Sequence, residues 1–180
     1  PEVGGYDEAT AALTPEDQAE AAAEAIAGAP DFGLYGYYTG GVTEVAVAST
    51  AGLAVSQAMT DVSVLALAAS DDASGYAEAT SWRASDLDPA AVAREAAEKA
   101  ARTKSAAQIE PQTFRAVLEP YAISELLFYF AFTSLNALAL LEGRSYLSGR
   151  LGEKLFDERF TLRDDGLDDE TYPKAFDLEG

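Results

Sequence analysis

The sequence contains neither cysteine nor histidine among its 180 residues. Without cysteine, the chain can form no disulfide and no thiolate metal site. Without histidine, it lacks the commonest general base near neutral pH and the commonest side-chain ligand of transition metals. Any catalysis by this chain would have to use carboxylates, hydroxyls, Lys or Arg, or a histidine from another chain.

Positive charge is also scarce, since 12 Lys and Arg residues face 31 Asp and Glu, and the formal net charge is −19. An acidic surface repels phosphate backbones, so we predict no direct binding of nucleic acid. Only four of the basic residues are Lys. Excess acid with little Lys is typical of halophilic proteins, whose hydrated carboxylates maintain solubility in concentrated salt. An unusually acidic mesophilic protein is the alternative.

The length of the chain and its hydrophobic content of 48% predict a globular protein with a hydrophobic core. The sequence does not open with the basic, apolar and small-residue pattern of a signal peptide, and we expect a cytoplasmic location. The chain starts at Pro1 and stops at Gly180 without a closing structural element. We therefore expect it to be a portion of a longer protein.

Helix signals mark two segments. Thr14 as N-cap, Pro15 at the first helical position and Gly28 at the stop predict one helix. Asp88 as N-cap and Pro89 after it predict another. Basic residues accumulate toward the end of the second helix, where they stabilise the negative end of the helix dipole.

Between these helices the hydrophobic period changes to two, which indicates strands. Alternating apolar residues on both sides of Ala51 and Gly52 predict a hairpin, and two further strands are predicted around a turn at residues 71–75. Four or so strands in succession predict an antiparallel meander, and the helices around it indicate an α+β fold. Residues 112–120 and 159–164 are predicted to form short strands.

The predicted organisation has two parts. Residues 1–31 would comprise a linker over residues 1–13 and the N-terminal helix. Residues 32–180 would form a central α+β domain, in which the antiparallel β-meander packs against helices.

The most apolar stretch runs from Tyr121 to Leu141 and contains one charged residue, Glu125. This length is close to the roughly 20 residues that a membrane span needs. Polar side chains within the stretch and the lack of a basic flank argue against a membrane. We predict a helix that is buried on most of its faces.

A glycine-rich loop follows this helix. It contains Gly143, Arg144, Ser145, Ser148, Gly149, Arg150, Gly152 and Glu153. A loop with Gly and Arg could hold an anion, but this one lacks the spacing and the Lys of a phosphate-binding loop. From the residues alone, backbone conformations with positive φ at the glycines are the favoured explanation.

Three stretches of this sequence carry a resemblance to a known family. They are residues 74–106, residues 117–165 and the closing Phe176-Asp177-Leu178-Glu179-Gly180. Together they make the sequence similar to the TldD/PmbA family, metallopeptidase-related proteins of bacteria and archaea that have long been labelled modulators of DNA gyrase. Members also carry an N-terminal segment and a C-terminal, mainly β domain. The resemblance therefore implies a middle portion that lacks the C-terminal β domain.

Active members of the TldD type carry His-Glu-x-x-x-His on the helix before a Ser-Gly-x-x-Gly-Glu motif, and their two imidazoles bind zinc that activates water. Counting back from Ser148, the resemblance assigns the three positions of the zinc motif to Phe128, Tyr129 and Thr133. Phe offers no lone pair to a metal, and one Thr does not make a zinc site. The resemblance thus implies a PmbA/TldE-type member with no metal or other cofactor in this chain.

The resemblance therefore implies a non-catalytic subunit of a TldD-type metallopeptidase complex that acts on small unfolded peptides. This subunit would form hetero-oligomers with a TldD-type metallopeptidase or homo-oligomers with itself. Candidate peptide-groove residues are Gly143, Arg144, Ser145, Ser148, Gly149, Gly152 and Glu153. Two alternatives stay open: a stand-alone peptidase that uses carboxylates or residues outside this chain, and a scaffolding module. The absence of histidine counts against the peptidase.

Overall fold

A computed structural model describes residues 3–168 and 170–177 of the chain. The chain forms two compact units. The sheet unit comprises the residues up to Gln108 and those from Asp164 onward, and the helical unit comprises Ile109–Arg163. The division predicted between residues 31 and 32 stays a prediction.

The sheet unit contains helices α1 (Glu8–Ala11), α2 (Pro15–Gly28) and α3 (Pro89–Thr103), and a short 3-10 turn precedes α3. Both predicted helix starts are confirmed. The Thr14 hydroxyl accepts a hydrogen bond from the third residue of α2, and the Asp88 carboxylate accepts one from the third residue of α3. These side chains satisfy amides that have no partner within the first helical turn.

Helix α1 lies inside the predicted linker, so that prediction is wrong for this part of the chain. The Thr10 hydroxyl donates to the Asp7 carboxylate at 2.7 Å and accepts from the Ala84 amide at 2.8 Å. The Asp7 amide in turn donates to the Thr60 hydroxyl at 3.0 Å. Thr10 and Thr60 are fully buried. Their hydrogen bonds fix the N-terminal segment to the sheet, because a buried hydroxyl without a partner would be costly.

The sheet is an antiparallel meander of β1 (Gly33–Ala48), β2 (Ala54–Ser70) and β3 (Ala73–Ser81), in that order. The predicted α+β class and meander are confirmed, but the sheet has three strands rather than four. The second half of the predicted hairpin and the strand expected after it form one continuous strand, β2. The turn at Ala51 and Gly52 is as predicted, and Gly52 has a φ of 95°.

Strand β3 is shorter than its neighbours and pairs only with residues 62–70 of β2. Beyond it, β1 and β2 continue as a two-stranded ribbon of residues 43–59, which we call the hairpin arm. Side chains directly opposite each other in an antiparallel pair share one face. Val45, Gln57 and Met59 are therefore on the same face of the arm, and all three are half-buried.

Small residues let α3 lie directly on the sheet. Its buried face consists of Pro89, Val92, Ala93, Ala96 and Ala100. A Cβ atom added to Gly75 of β3 would lie only 2.1 Å from the Ala96 carbonyl oxygen. The core of the sheet unit is thus built from Val and Ala side chains at close backbone spacing.

The helical unit contains α4 (Pro120–Ser134) and α5 (Ala137–Leu141), so the predicted single helix over residues 121–141 is wrong. The break occurs at Asn136, whose side-chain oxygen accepts from the Ala139 amide at 2.7 Å. Its side-chain nitrogen donates to the Phe132 carbonyl at 2.9 Å. Asn136 therefore begins α5 as its N-cap and also satisfies a carbonyl in the last turn of α4.

The prediction that this segment is buried on most faces is also wrong. On α4, Phe128 and Tyr129 are each 63% exposed, and Phe132 is 74% exposed. Within the part of the chain that the structure describes, no helix has the combination of length and apolar composition that crossing a bilayer requires.

The two short strands predicted at residues 112–120 and 159–164 are not formed. Across residues 3–168 and 170–177, strand structure is confined to β1, β2 and β3. A strand needs a neighbouring strand for its backbone hydrogen bonds, and β-favouring residues without such a partner remain irregular.

Candidate functional site

The glycine-rich loop follows α5 directly, and its glycines are there for backbone conformation. Gly143, Gly149 and Gly152 have φ values of 70°, 75° and 86°. A Cβ atom at any of the three would have no described neighbour within 4 Å. Space is therefore not the constraint, and the left-handed conformation is, since it is strained for residues with a side chain. The sequence-based explanation of these glycines is confirmed.

The two serines of the loop donate hydrogen bonds to carbonyl groups at the C-terminal ends of α4 and α5. The Ser145 hydroxyl donates to the Ser134 carbonyl at 2.6 Å and accepts from the Leu147 amide at 3.0 Å. The Ser148 hydroxyl donates to the Leu140 carbonyl at 3.2 Å. These carbonyls lie in the last turns of α4 and α5, where no further helical amide is available. Both hydroxyls have structural partners, and neither is placed as an activated nucleophile.

The two arginines of the loop are paired locally. Arg144 Nε lies 2.7 Å from Glu142 Oε2, and Arg150 Nε lies 3.1 Å from Glu153 Oε2. The Arg150 guanidinium also lies over the Tyr146 ring, 4.6 Å from its centre. Contact with Tyr146, and then with Glu153, raises the pKa of Arg150. Because each arginine already has a carboxylate partner, the loop is poorly suited to hold an external anion.

Beside the loop, an open cavity of about 440 Å³ is walled by aromatic and aliphatic side chains, and we call it the aromatic groove. It is lined by Leu126, Leu127, Phe130, Ser134, Tyr146, Phe156 and Phe160. Phe130 makes edge-to-face contacts with Tyr146 and Phe156, with ring centres 6.4 and 6.2 Å apart. The groove can cover an apolar side chain of a ligand, and it presents few polar groups that would select one sequence.

None of the seven predicted peptide-groove residues lines the aromatic groove. Ser145 contributes indirectly, because its hydroxyl holds the Ser134 carbonyl at the edge of the groove. Sequence reasoning missed Phe156 and Phe160, whose only signal was two aromatic residues four apart after the loop. A role for the seven loop residues in peptide binding stays a prediction.

The positions that the resemblance assigns to the zinc motif lie on α4, but Phe128 and Tyr129 do not line the groove. Their rings contact each other edge to face at 5.5 Å. The Thr133 hydroxyl donates to the Tyr129 carbonyl at 2.7 Å, so it is engaged by its own helix. These side chains do not fit a zinc ion. Among the described residues, no group of three or more acidic side chains could hold a metal ion.

Two family models match the chain. The PmbA/TldA metallopeptidase central domain matches residues 8–104, which is more than half of the chain. The PmbA/TldA metallopeptidase C-terminal domain matches residues 111–180. The chain belongs to the PmbA/TldD family. The family suggested by the sequence motifs is thus confirmed, and it is metallopeptidase-related. Of the closing motif, residues 178–180 lie outside the described part of the chain.

Solved structures of PmbA/TldD fold resemble the chain. A proposed modulator of DNA gyrase from Bacteroides thetaiotaomicron VPI-5482 is 24% identical with a TM-score of 0.82, and the match covers 100% of this chain and 44% of that one. A proposed modulator of a DNA gyrase from Thermotoga maritima MSB8 is 23% identical with a TM-score of 0.70, and the match covers 85% of this chain and 37% of that one. At these identities the likeness establishes the fold.

An uncharacterised protein of Methanocaldococcus jannaschii is 40% identical over 65 residues, which are 36% of this chain and 16% of that protein. This chain therefore spans less than half the length of each of these three proteins.

Proposed function

We propose that the protein is a non-catalytic subunit of a TldD-type metallopeptidase complex that acts on small unfolded peptides. The observation that carries this proposal is the chemistry of α4. Phe128, Tyr129 and Thr133 occupy the positions where the family resemblance would place the zinc motif, and none of them fits a zinc ion. The sequence also has no histidine or cysteine that could take their place.

The exposed face of α4 supports association with another subunit. Phe128, Tyr129 and Phe132 are large side chains on consecutive turns, and more than half of each is exposed. Contiguous apolar surface of this kind is typical of protein–protein contact. We propose that it packs against a TldD-type subunit or a second copy of this protein.

The aromatic groove supports a peptide as ligand. Its walls are almost entirely apolar, so binding would depend on buried surface rather than on a particular side-chain sequence. A groove that is open to solvent can also take an extended segment, which an unfolded peptide offers along its whole length.

Co-expression of the full-length protein with its TldD-type homologue tests the subunit role. We expect the two to co-purify and the pair to cleave an unstructured peptide, with cleavage abolished by a chelator. This protein alone should not cleave the peptide. Chelator-sensitive cleavage by this protein alone would identify a stand-alone peptidase. A pair that neither associates nor gains activity would favour scaffolding.

Two matched variants locate the contact surface. Phe132→Glu places a charge on the exposed apolar face of α4 and should weaken association by about tenfold or more. Gln112→Glu adds the same charge at an exposed position of the same unit, before α4 begins, and should leave association unchanged. Equal weakening by both variants would contradict the assignment of the α4 face to the interface.

A further inference from the structure

Residues 172–177 lie against the hairpin arm, and the side chain of Gln57 in the arm binds their backbone. We call this segment the strap. Gln57 Nε2 donates to the Pro173 carbonyl at 3.3 Å, and the Ala175 amide donates to Gln57 Oε1 at 2.9 Å. A side-chain amide offers the same donor and acceptor groups as a peptide unit. Gln57 therefore binds the backbone of the strap much as a neighbouring strand would.

Other contacts also anchor the strap, and among them the Lys174 amide donates to the Gly166 carbonyl at 2.6 Å. Pro173 is fully buried, and its ring packs beside Gly5. The Tyr172 hydroxyl donates to the Ser81 carbonyl at 2.9 Å. The described residues between 164 and 172 that lead into the strap are all exposed. The strap is thus a short segment that is held in its middle and attached to an exposed tether.

The strap does not fill the space beneath it. A cavity of about 200 Å³ remains between the strap and the arm. It is lined by Val45, Gln57 and Met59 of the arm and by Lys174, Phe176 and Asp177 of the strap. The cavity is open to solvent, because its lining side chains are half-buried or exposed. The strap pairs with the arm through its backbone and leaves apolar surface of Val45 and Met59 accessible beside it.

We propose that Val45, Gln57 and Met59 form a binding site for an extended peptide segment, which we call the strap groove, and that the strap is its displaceable internal occupant. The ligand is a peptide whose backbone pairs with the Gln57 amide and whose apolar side chain occupies the cavity against Val45 and Met59. This site is in the sheet unit and is independent of the metallopeptidase role proposed above.

A labelled peptide with the sequence of residues 170–177 tests the strap groove in the full-length protein. In the unmodified protein the tethered strap competes at a high effective concentration, so the free peptide should bind weakly. Ala175→Pro removes the amide hydrogen that Ala175 donates to Gln57 Oε1. It therefore weakens the binding of the strap and leaves the free peptide unchanged. The free peptide should then bind about tenfold more tightly, because the tethered strap competes with roughly one hydrogen bond fewer.

Two further variants in the Ala175→Pro background show whether Gln57 carries the binding. Gln57→Leu removes both hydrogen bonds to the peptide and should abolish the gain. Gln18→Leu is the matched control, because Gln18 is a half-buried glutamine of the same unit whose side chain donates to the Gly40 carbonyl at 3.3 Å. It should keep the gain.

Hydrogen exchange of the β2 amides verifies that each variant is folded. If Ala175→Pro loses this protection, Tyr172→Phe replaces it. That variant removes the hydroxyl that donates to the Ser81 carbonyl and keeps the ring, and it should give a smaller gain in the same direction. If the free peptide binds equally to the unmodified protein and to the Ala175→Pro and Tyr172→Phe variants, the proposal is overturned. Equal loss in the Gln57 and Gln18 variants, or no peptide binding to any variant, would overturn it too.

Discussion

At the scale of single residues, Gly75 sets the distance between α3 and the sheet. A Cβ atom at this position would lie 2.1 Å from the Ala96 carbonyl oxygen and 2.3 Å from the Ala100 nitrogen. Both neighbours are helix backbone and cannot turn aside. We predict that Gly75→Ala lowers the free energy of unfolding by about 1–3 kcal/mol or more, measured by urea denaturation.

Gly41→Ala is the matched control for this prediction. Gly41 also lies in the sheet, and a Cβ atom there would have no described neighbour within 4 Å. We expect a change of no more than about 0.5 kcal/mol. If Gly41→Ala costs as much as Gly75→Ala, the close approach of α3 is not the reason for the glycine.

Gly75 also shows a limit of sequence reasoning. The sequence predicts a turn over residues 71–75, but β2 ends at Ser70 and β3 already begins at Ala73. A glycine is favoured both in turns and where a helix comes close. Only the position of α3, which lies further along the chain, distinguishes the two roles.

Ser145 provides a second prediction for a single residue. Its buried hydroxyl is the partner of the Ser134 carbonyl and the Leu147 amide. Ser145→Ala leaves both groups without that partner and should lower the free energy of unfolding by about 1–3 kcal/mol. Ser124→Ala, which removes an exposed hydroxyl from α4, should have a much smaller effect. A loss of peptide cleavage by the complex at unchanged stability would instead indicate a direct role for Ser145.

At the scale of elements, the start of α2 depends on the charge of Asp17. Hydrogen bonds from the Thr14 amide, and then from its hydroxyl, lower the pKa of Asp17 below its usual value of 3.8. Because the folded-state pKa is the lower one, the ionised carboxylate stabilises α2 above the pKa of the unfolded chain. This stabilisation is lost as pH falls through the folded-state pKa.

We therefore predict that the unmodified protein loses more stability than Asp17→Asn when pH falls from 5 toward 3. The asparagine keeps a side-chain oxygen for the cap but has no charge to lose. Urea denaturation at several pH values gives the two slopes, and values at pH 7 provide the baseline. Parallel slopes would contradict a role for the Asp17 charge in this cap.

Helix starts were predictable because their signals are local. Thr14 and Asp88 bond to amides three residues away, so the sequence contains both partners of each cap. Asn136 is a signal of the same kind inside the apolar run, and it divides α4 from α5. Strands are different, because residues 112–120 have β-favouring side chains but no neighbouring strand. Pairing is decided by the whole fold, and the local sequence does not contain it.

At the scale of the whole molecule, the sequence predicted the family and the α+β class but not which apolar surfaces the chain covers. A run of apolar residues indicates a helix without saying which of its sides has a partner. Phe130 packs against Phe156 and lines the aromatic groove, whereas Phe128 and Phe132 on the same helix are exposed. The difference depends on how the segment after the loop returns to α4, which residue spacing alone does not specify.

Charge repulsion is the other property of the whole molecule. With a net charge of −19, the halophilic interpretation predicts that molar KCl raises the urea midpoint.

Helix α2 contains Glu16, Glu20 and Glu24, all exposed and four residues apart, and no basic residue. Such like-charge pairs repel by a few tenths of a kcal/mol each. Replacing all three by Gln should raise the midpoint at low salt and reduce the gain from KCl. Glu98→Gln, one helical turn after Arg94 on α3, should not raise it. Equal KCl gains in the triple variant and the unmodified protein would exclude repulsion along α2 as a source of the salt dependence.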